Sequence, residues 1–188
     1  MKPVNDCRAA LMAELLGRPA VETVASDPLR PVLASLLAGR SLGEGVLPAT
    51  LGLETDVFRG FRDEYFPGPP LRLASCASQD IPELTDLVDL LLEFRAGQRE
   101  SEIWLARVVA NGCTGSAHLW QDLGLADRGE LSLLMATAFP LLAALNTGDM
   151  KWKKFIYHHY CTREGIFLCP SPSCGECADY DKCFAPES

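Results

Sequence analysis

Four cysteines crowd one end of the chain, Cys169, Cys174, Cys177 and Cys183, in the spacing C-x4-C-x2-C-x5-C. Two thiolates separated by two residues in a turn can meet at one ion or one cluster edge. Gly175, between Cys174 and Cys177, permits the sharp backbone this requires. Pro170 and Pro172 stiffen the first arm, so less entropy is lost when the loop closes on metal. Four soft sulfur donors select zinc, copper(I) or iron–sulfur clusters over magnesium or calcium. Structural zinc sites commonly set two cysteine knuckles a dozen or more residues apart, whereas this is one compact run. The spacing therefore favours an iron–sulfur cluster, although it departs from the ferredoxin pattern C-x2-C-x2-C. Zinc and unmetallated thiols are the alternatives.

The other cysteines fit this reading. Cys7, Cys76 and Cys113 are scattered and read as ordinary thiols, while Cys161 joins the C-terminal crowd. Eight cysteines would suit disulfides in a small secreted domain, but the chain has 188 residues, larger than domains that depend on such staples. The first residues carry Asp6 and Glu14 where a secretion signal needs an apolar run. Nothing approaches the roughly 20 apolar residues of a membrane span. A cytoplasmic location, with no membrane partner, is the expectation. A net charge of −8 argues against nucleic acid, whose phosphates call for Lys and Arg. With 48 % hydrophobic and 22 % charged residues the composition is globular.

The elements that must present the cysteines read as helices between Gly- and Pro-containing turns. The first is expected over about Asp6 to Leu16, stopped by Gly17-Arg18-Pro19. A second starts at Ser26-Asp27-Pro28 and ends at Gly39. Val57, Phe58, Phe61 and Tyr65 mark a third, closed by the prolines after Phe66, and a loop follows to Ile81. Leu84, Leu87, Val88 and Leu91 form an amphipathic stripe with Asp80 available as a cap, and another helix spans about Ser101 to Ala110. Ser116 is expected to cap the helix carrying Leu119, Trp120 and Leu123. Asp127 and Glu130 form a capping box ahead of Leu131, and Pro140 should break that helix. A last helix runs from Met150 to about Arg163 and stops at Gly165. The expected architecture is all-α: a compact helical bundle over residues 1–165, then an irregular cysteine-rich metal-cluster segment over 166–188 packed on it.

The cysteine tail, preceded by Trp152-Lys153-Lys154-Phe155 and followed by Phe184 and Glu187, resembles the nitrogen fixation protein family NifQ. His118-Leu-Trp-Gln-Asp-Leu-Gly-Leu125, Glu130-Leu-Ser, Phe139-Pro140 and Asn146 are similar to that family as well. The detailed likeness runs from about Gly112 onward, and the N-terminal half is similar only in its helical texture. Ala185, where a glycine is expected after Phe184, departs from the pattern without touching a proposed ligand. The resemblance implies a carrier whose iron–sulfur cluster, [4Fe–4S] or Mo–3Fe–4S, takes up molybdenum from molybdate or another source. It implies delivery to the NifEN scaffold and NifH during assembly of the nitrogenase iron–molybdenum cofactor (FeMo-cofactor). The ligands carried over are Cys169, Cys174, Cys177 and Cys183.

In a Mo–3Fe–4S cube each iron takes one thiolate, while molybdenum favours more ligands and accepts harder N and O donors. A non-cysteine or exchangeable ligand is therefore expected at that corner, with His158, His159 and Cys161 the nearest candidates. Against this, the histidines also suit a solvated helix C-terminus, and Cys161 a packed core. His118 reads as a local hydrogen-bonding residue. Lys151, Lys153 and Lys154 read first as a solvated helix face, and otherwise as attraction for molybdate or an acidic partner. Trp152, Phe155, Tyr157, Tyr160 and Phe167 are expected to pack the tail onto the bundle and shield a cluster from water. No nucleophile–base set, phosphate-binding loop or carboxylate pair points to a turnover enzyme. The competing functions are a zinc-stabilised interaction module and a [4Fe–4S] electron-transfer protein.

Overall fold

The computed structural model describes residues 4–74 and 81–165, and among them every regular element is a helix. They are α1 (Val4–Leu16), α2 (Glu22–Ala25), α3 (Arg30–Leu42), α4 (Thr55–Tyr65), α5 (Leu84–Glu93), α6 (Glu100–Gly112), α7 (Leu119–Leu123), α8 (Arg128–Ala138), α9 (Pro140–Leu145) and α10 (Trp152–Arg163). The all-α expectation holds. Cys76, Asp80, Phe167 and the whole 166–188 segment lie outside the described residues. None of the described helices is long and apolar enough to cross a membrane.

Two helices form the centre. From Val32 to Arg40 every residue of α3 is buried, and α6 is buried over most of its length. A helix covered on all sides must be wrapped by the others. Accordingly α1 packs on α3, α5 and α7 pack on α6, and α10 packs on α5. Phe61, Tyr65, Phe66 and Trp104 meet edge to face or tilted, with centroids 5.1–6.3 Å apart, and join α4 to α6.

The helix expected to end at Gly39 runs on to Leu42. The glycine that ends it is Gly43, at φ 80°. Gly39 serves a different purpose. A Cβ there would lie 2.0 Å from the Gly124 carbonyl oxygen, so the missing side chain lets α3 touch the turn after α7. Elsewhere the local rules hold. Asp127 accepts from Glu130 N at 3.0 Å, as a capping residue should. The chain breaks at Phe139 and restarts with Pro140 in the first turn of α9. Gly165 follows α10 at φ 69°. The four-residue α2 was not anticipated; it is shorter than a hydrophobic period can reveal.

Charged groups inside the bundle are held by several partners each. Asp27, 3 % exposed, accepts from Leu29 N at 2.9 Å through Oδ1. Its Oδ2 takes the Tyr65 and Ser101 hydroxyls, each at 2.7 Å. Arg30 donates to the carbonyls of Leu16 (3.3 Å), Arg18 (3.0 Å) and Tyr65 (3.3 Å), closing the ends of α1 and α4, and lies over the Phe66 ring. Arg8 reaches from α1 to the Ser35 hydroxyl at 3.0 Å, to Glu44 and to the Gly124 carbonyl at 2.9 Å.

Candidate metal centre

Helix α10 is the element that delivers the chain to the cysteine segment, so its seating comes first. The turn before it is closed by Asn146. Its side-chain amide donates to Met150 O at 2.9 Å and its carbonyl accepts from Met150 N at 2.8 Å. Trp152, Phe155, Ile156, Tyr160 and Cys161 are buried. On the side toward α5, the Tyr160 hydroxyl donates to Asp86 at 2.9 Å and Arg163 donates to Glu93 at 2.8 Å. Of the aromatic residues expected to pack the tail onto the bundle, Trp152, Phe155 and Tyr160 are buried in the core and Tyr157 packs partly buried against it, while Phe167 and the tail lie outside the described residues.

The lysines at the start of α10 do not behave alike. Lys154 is exposed, but Lys153 turns inward, its side chain 17 % exposed. Its ammonium donates to Gly115 O at 2.8 Å, to Ala117 O at 2.9 Å and to Asp122 Oδ2. An ammonium has three protons and here all three are used. For Lys153 the solvated-face expectation is thus corrected: it clasps the loop between α6 and α7. Asp122, with a side chain 4 % exposed, also accepts from Ala117 N at 3.0 Å. The loop closes over this carboxylate because position 115 is glycine, where a Cβ would lie 2.3 Å from Asp122 Cγ.

Ser116 does not cap α7. The cap position belongs to His118, whose backbone N–H is taken by the Gln121 side chain at 3.2 Å. The expected local hydrogen-bonding role of this stretch is met two residues later than Ser116.

Two thiols and a phenol accompany the clasp. Burial pushes the Cys113 thiol up to about 12, the Lys153 cation offsetting part of the rise and Asp122 adding to it. Burial likewise pushes Tyr157 up to about 12, with Cys113, Glu83 and Cys161 contributing. Both groups keep their protons through the neutral range, and a thiol that holds its proton is a poor ligand until metal displaces it. Lys153, Tyr157 and Cys161 recur every four residues, so they line one side of α10 over successive turns.

The three candidates for a non-cysteine or additional ligand are separated by the helix. His158 is exposed, and its carbonyl accepts from the Thr162 hydroxyl at 2.7 Å. His159 stands against Phe94 (centroids 5.2 Å apart) and Phe155 (6.2 Å), and burial, then the Arg163 charge, lowers its pKa below the ordinary histidine value. Cys161 is 6 % exposed and belongs to the core. Among the described residues no three His, Cys, Asp or Glu side chains are grouped to hold a metal ion. The four-cysteine set, Cys169, Cys174, Cys177 and Cys183, lies outside the described residues and begins four residues beyond Gly165. By donor chemistry, four thiolates in fifteen residues suit an iron–sulfur group, and the described part offers no competing set.

Asp122 on α7 and the Gly115 loop ahead of it were missed as partners of α10. A signal existed in the lysines themselves. Lys153 and Lys154 occupy the first turn of a helix with no acid there, against the helix dipole, which a distant anion can justify.

Comparison with known proteins places this arrangement. Residues 32–185 match the family model described as NifQ, a span that includes all four cysteines of the tail and the Lys153–Asp122 clasp. Protein NifQ of Rhodobacter capsulatus is 36 % identical over 165 residues, covering 87 % of this chain and 92 % of that protein. A NifQ homolog of Sinorhizobium fredii is 36 % identical over 157 residues, 81 % of this chain and 68 % of its own. Protein NifQ of Azotobacter vinelandii is 44 % identical over 105 residues, and there the match spans 56 % of this chain and 54 % of the relative. No solved structure matches the chain. With a family model covering most of its length and a relative aligned almost end to end, the chain belongs to the NifQ family of nitrogen-fixation proteins.

Proposed function

We propose that the protein is a metal-cluster carrier that donates molybdenum for assembly of the nitrogenase iron–molybdenum cofactor. The observation that carries this reading is the C-x4-C-x2-C-x5-C run, which falls inside the stretch matched to the family. Cys169, Cys174, Cys177 and Cys183 would hold an iron–sulfur cluster, with molybdenum as cargo. Cluster sulfides and thiolates are soft donors suited to iron. A cargo metal that accepts N and O donors leaves more readily when its remaining ligands are exchangeable. His158, exposed on α10, is a candidate for such a ligand, whereas His159 and Cys161 would need to leave their packing to serve. The recipients proposed are the NifEN scaffold and NifH. The protein turns over no substrate in this reading.

Metal analysis and a visible spectrum on protein purified without oxygen, from cells supplied with molybdate, test the proposal. Brown protein with iron and molybdenum, both lost in Cys174→Ala and Cys177→Ala variants, is the expected outcome. Colourless protein holding zinc alone would refute it and favour a zinc-stabilised module. A reversible cluster that never takes up molybdenum would favour electron transfer.

A further inference from the structure

We propose that the outward face of α8 and α9 is a docking surface for a partner protein that presents a small apolar face edged with carboxylates, and that the contact is transient. The surface goes beyond the carrier reading above; only the recipients used to test it rest on that reading.

From Leu131 to Gly148 the chain carries no charged residue, in a protein where 22 % of residues are charged. Part of this stretch serves the core: Leu131, Leu134, Met135 and Ala138 of α8 and Leu142 of α9 are buried. A helix that covers a core on one side ordinarily turns polar and charged residues to water on the other. Here the outward positions are Leu133, Ala136, Pro140, Leu141, Ala144 and Leu145, all of them exposed. They continue across the break at Phe139, because Pro140 lies four residues from both Ala136 and Ala144. Leu133, Leu141 and Leu145 are 51 %, 64 % and 52 % exposed. A single exposed leucine is ordinary on a protein surface, but three on one uncharged face mark an interaction site.

The size and border of the face determine what covers it. It offers on the order of 400 Å² of apolar surface, about half of the roughly 800 Å² that each subunit of a stable dimer contributes. At one end the Ala138 carbonyl accepts from Ala96 N at 2.9 Å, which places the exposed Arg95 beside the close of α8. At the other end Asn146 holds Met150 through two hydrogen bonds, and Lys151 and the exposed Lys154 follow. Asp149, also on this border, is paired with Arg128 at 2.7 Å. A chain of net charge −8 thus sets cations at both ends of an uncharged face, which complements carboxylates around an apolar partner. A second copy fits poorly. The patch is too small for a stable dimer, and a symmetric pair would bring the same kinds of bordering cation together.

The test uses the full chain, prepared without oxygen, and measures its binding to immobilised NifEN and NifH, the recipients proposed above, by biolayer interferometry. Leu141→Glu should weaken binding to at least one of them by about tenfold or more, chiefly through faster dissociation. Arg95→Glu should slow association about threefold, as loss of a bordering charge does. Val21→Glu and Arg59→Glu make the same charge changes at exposed positions elsewhere and should stay within about twofold of wild type. Leu145→Glu gives a second reading of the face should circular dichroism show Leu141→Glu to be unfolded. Binding by the leucine variants equal to that of Val21→Glu would overturn the docking surface and leave the carrier reading standing. A wild-type dimer in sedimentation that Leu141→Glu dissolves would also overturn it, since the face would then belong to a second copy. Wild-type protein that binds neither recipient would overturn the proposed recipients and this inference with them.

Discussion

Asp27 offers a quantitative test of how the helical bundle is held. Its Oδ2 receives two hydroxyl protons, from Tyr65 on α4 and Ser101 on α6, both at 2.7 Å, within a site that is 3 % exposed. Burial, then the hydrogen bond to Asp27, raises the Tyr65 pKa, so the phenol remains a donor throughout the neutral range. Each bond has an ionised acceptor and is charge-assisted, worth about 1.5–3 kcal/mol. Tyr65→Phe and Ser101→Ala should each lower stability by roughly 2 kcal/mol, or about 4–8 °C in Tm for a chain of this size. The pair should not be additive. Removing one hydroxyl leaves Oδ2 with the other donor, but removing both strands a buried carboxylate oxygen, since Oδ1 is already engaged by Leu29 N and faces Arg99 Nε at 3.6 Å. The double variant should therefore lose about 1 kcal/mol more than the sum of the singles. Urea unfolding followed by circular dichroism measures all four corners of the cycle. Single losses below about 0.5 kcal/mol, or additivity within about 0.3 kcal/mol, would refute the reasoning.

Two further predictions rest on single residues. The pKa of His159 is lowered in the fold, so stability is fully present above the unfolded value near 6.5 and falls as pH drops below it. His159→Phe should flatten that acid limb in Tm-versus-pH curves, and an unchanged limb would discount the residue. Gly39→Ala should cost at least about 3 kcal/mol through the clash with Gly124 O, even though alanine is the better helix former. Gly43→Ala, strained in φ but facing open space, should cost only ~1 kcal/mol; the reverse order in thermal melts would contradict the packing described.

Much of the helical frame could be read from the chain because the signals are local. The Asp127–Glu130 cap, the break at Pro140 and the stop at Gly165 each depend on residues within four positions of one another. The misreadings share the opposite property. Gly39 looks like a helix stop until its contact with Gly124, 85 positions away in the sequence, is known. Lys153 looks solvated until Asp122 is placed beside it, a separation of 31. Ser116 suits a cap by residue type, but the cap position falls to His118, two residues further along. For the site the balance reverses. The four-cysteine run is visible in the sequence as a spacing and lies outside the described residues, whereas the surroundings of the three extra ligand candidates emerge only once α10 is packed: His158 in solvent, His159 between aromatic rings and Cys161 inside.

Arg30 has an implication for how such a protein can drift in sequence. Its guanidinium donates to the main chain at Leu16, Arg18 and Tyr65, and backbone carbonyls are supplied by every residue type. As far as those bonds are concerned, the side chains at the three recipient positions are free to change, so one arginine can hold two helix ends together across diverging relatives without a compensating substitution. Lys153 and Asp122 meet side chain to side chain, and a change in one alters what the other must be. In an alignment of relatives, variation at 30 should be scarce and independent of 16, 18 and 65, while 122 and 153 should change together.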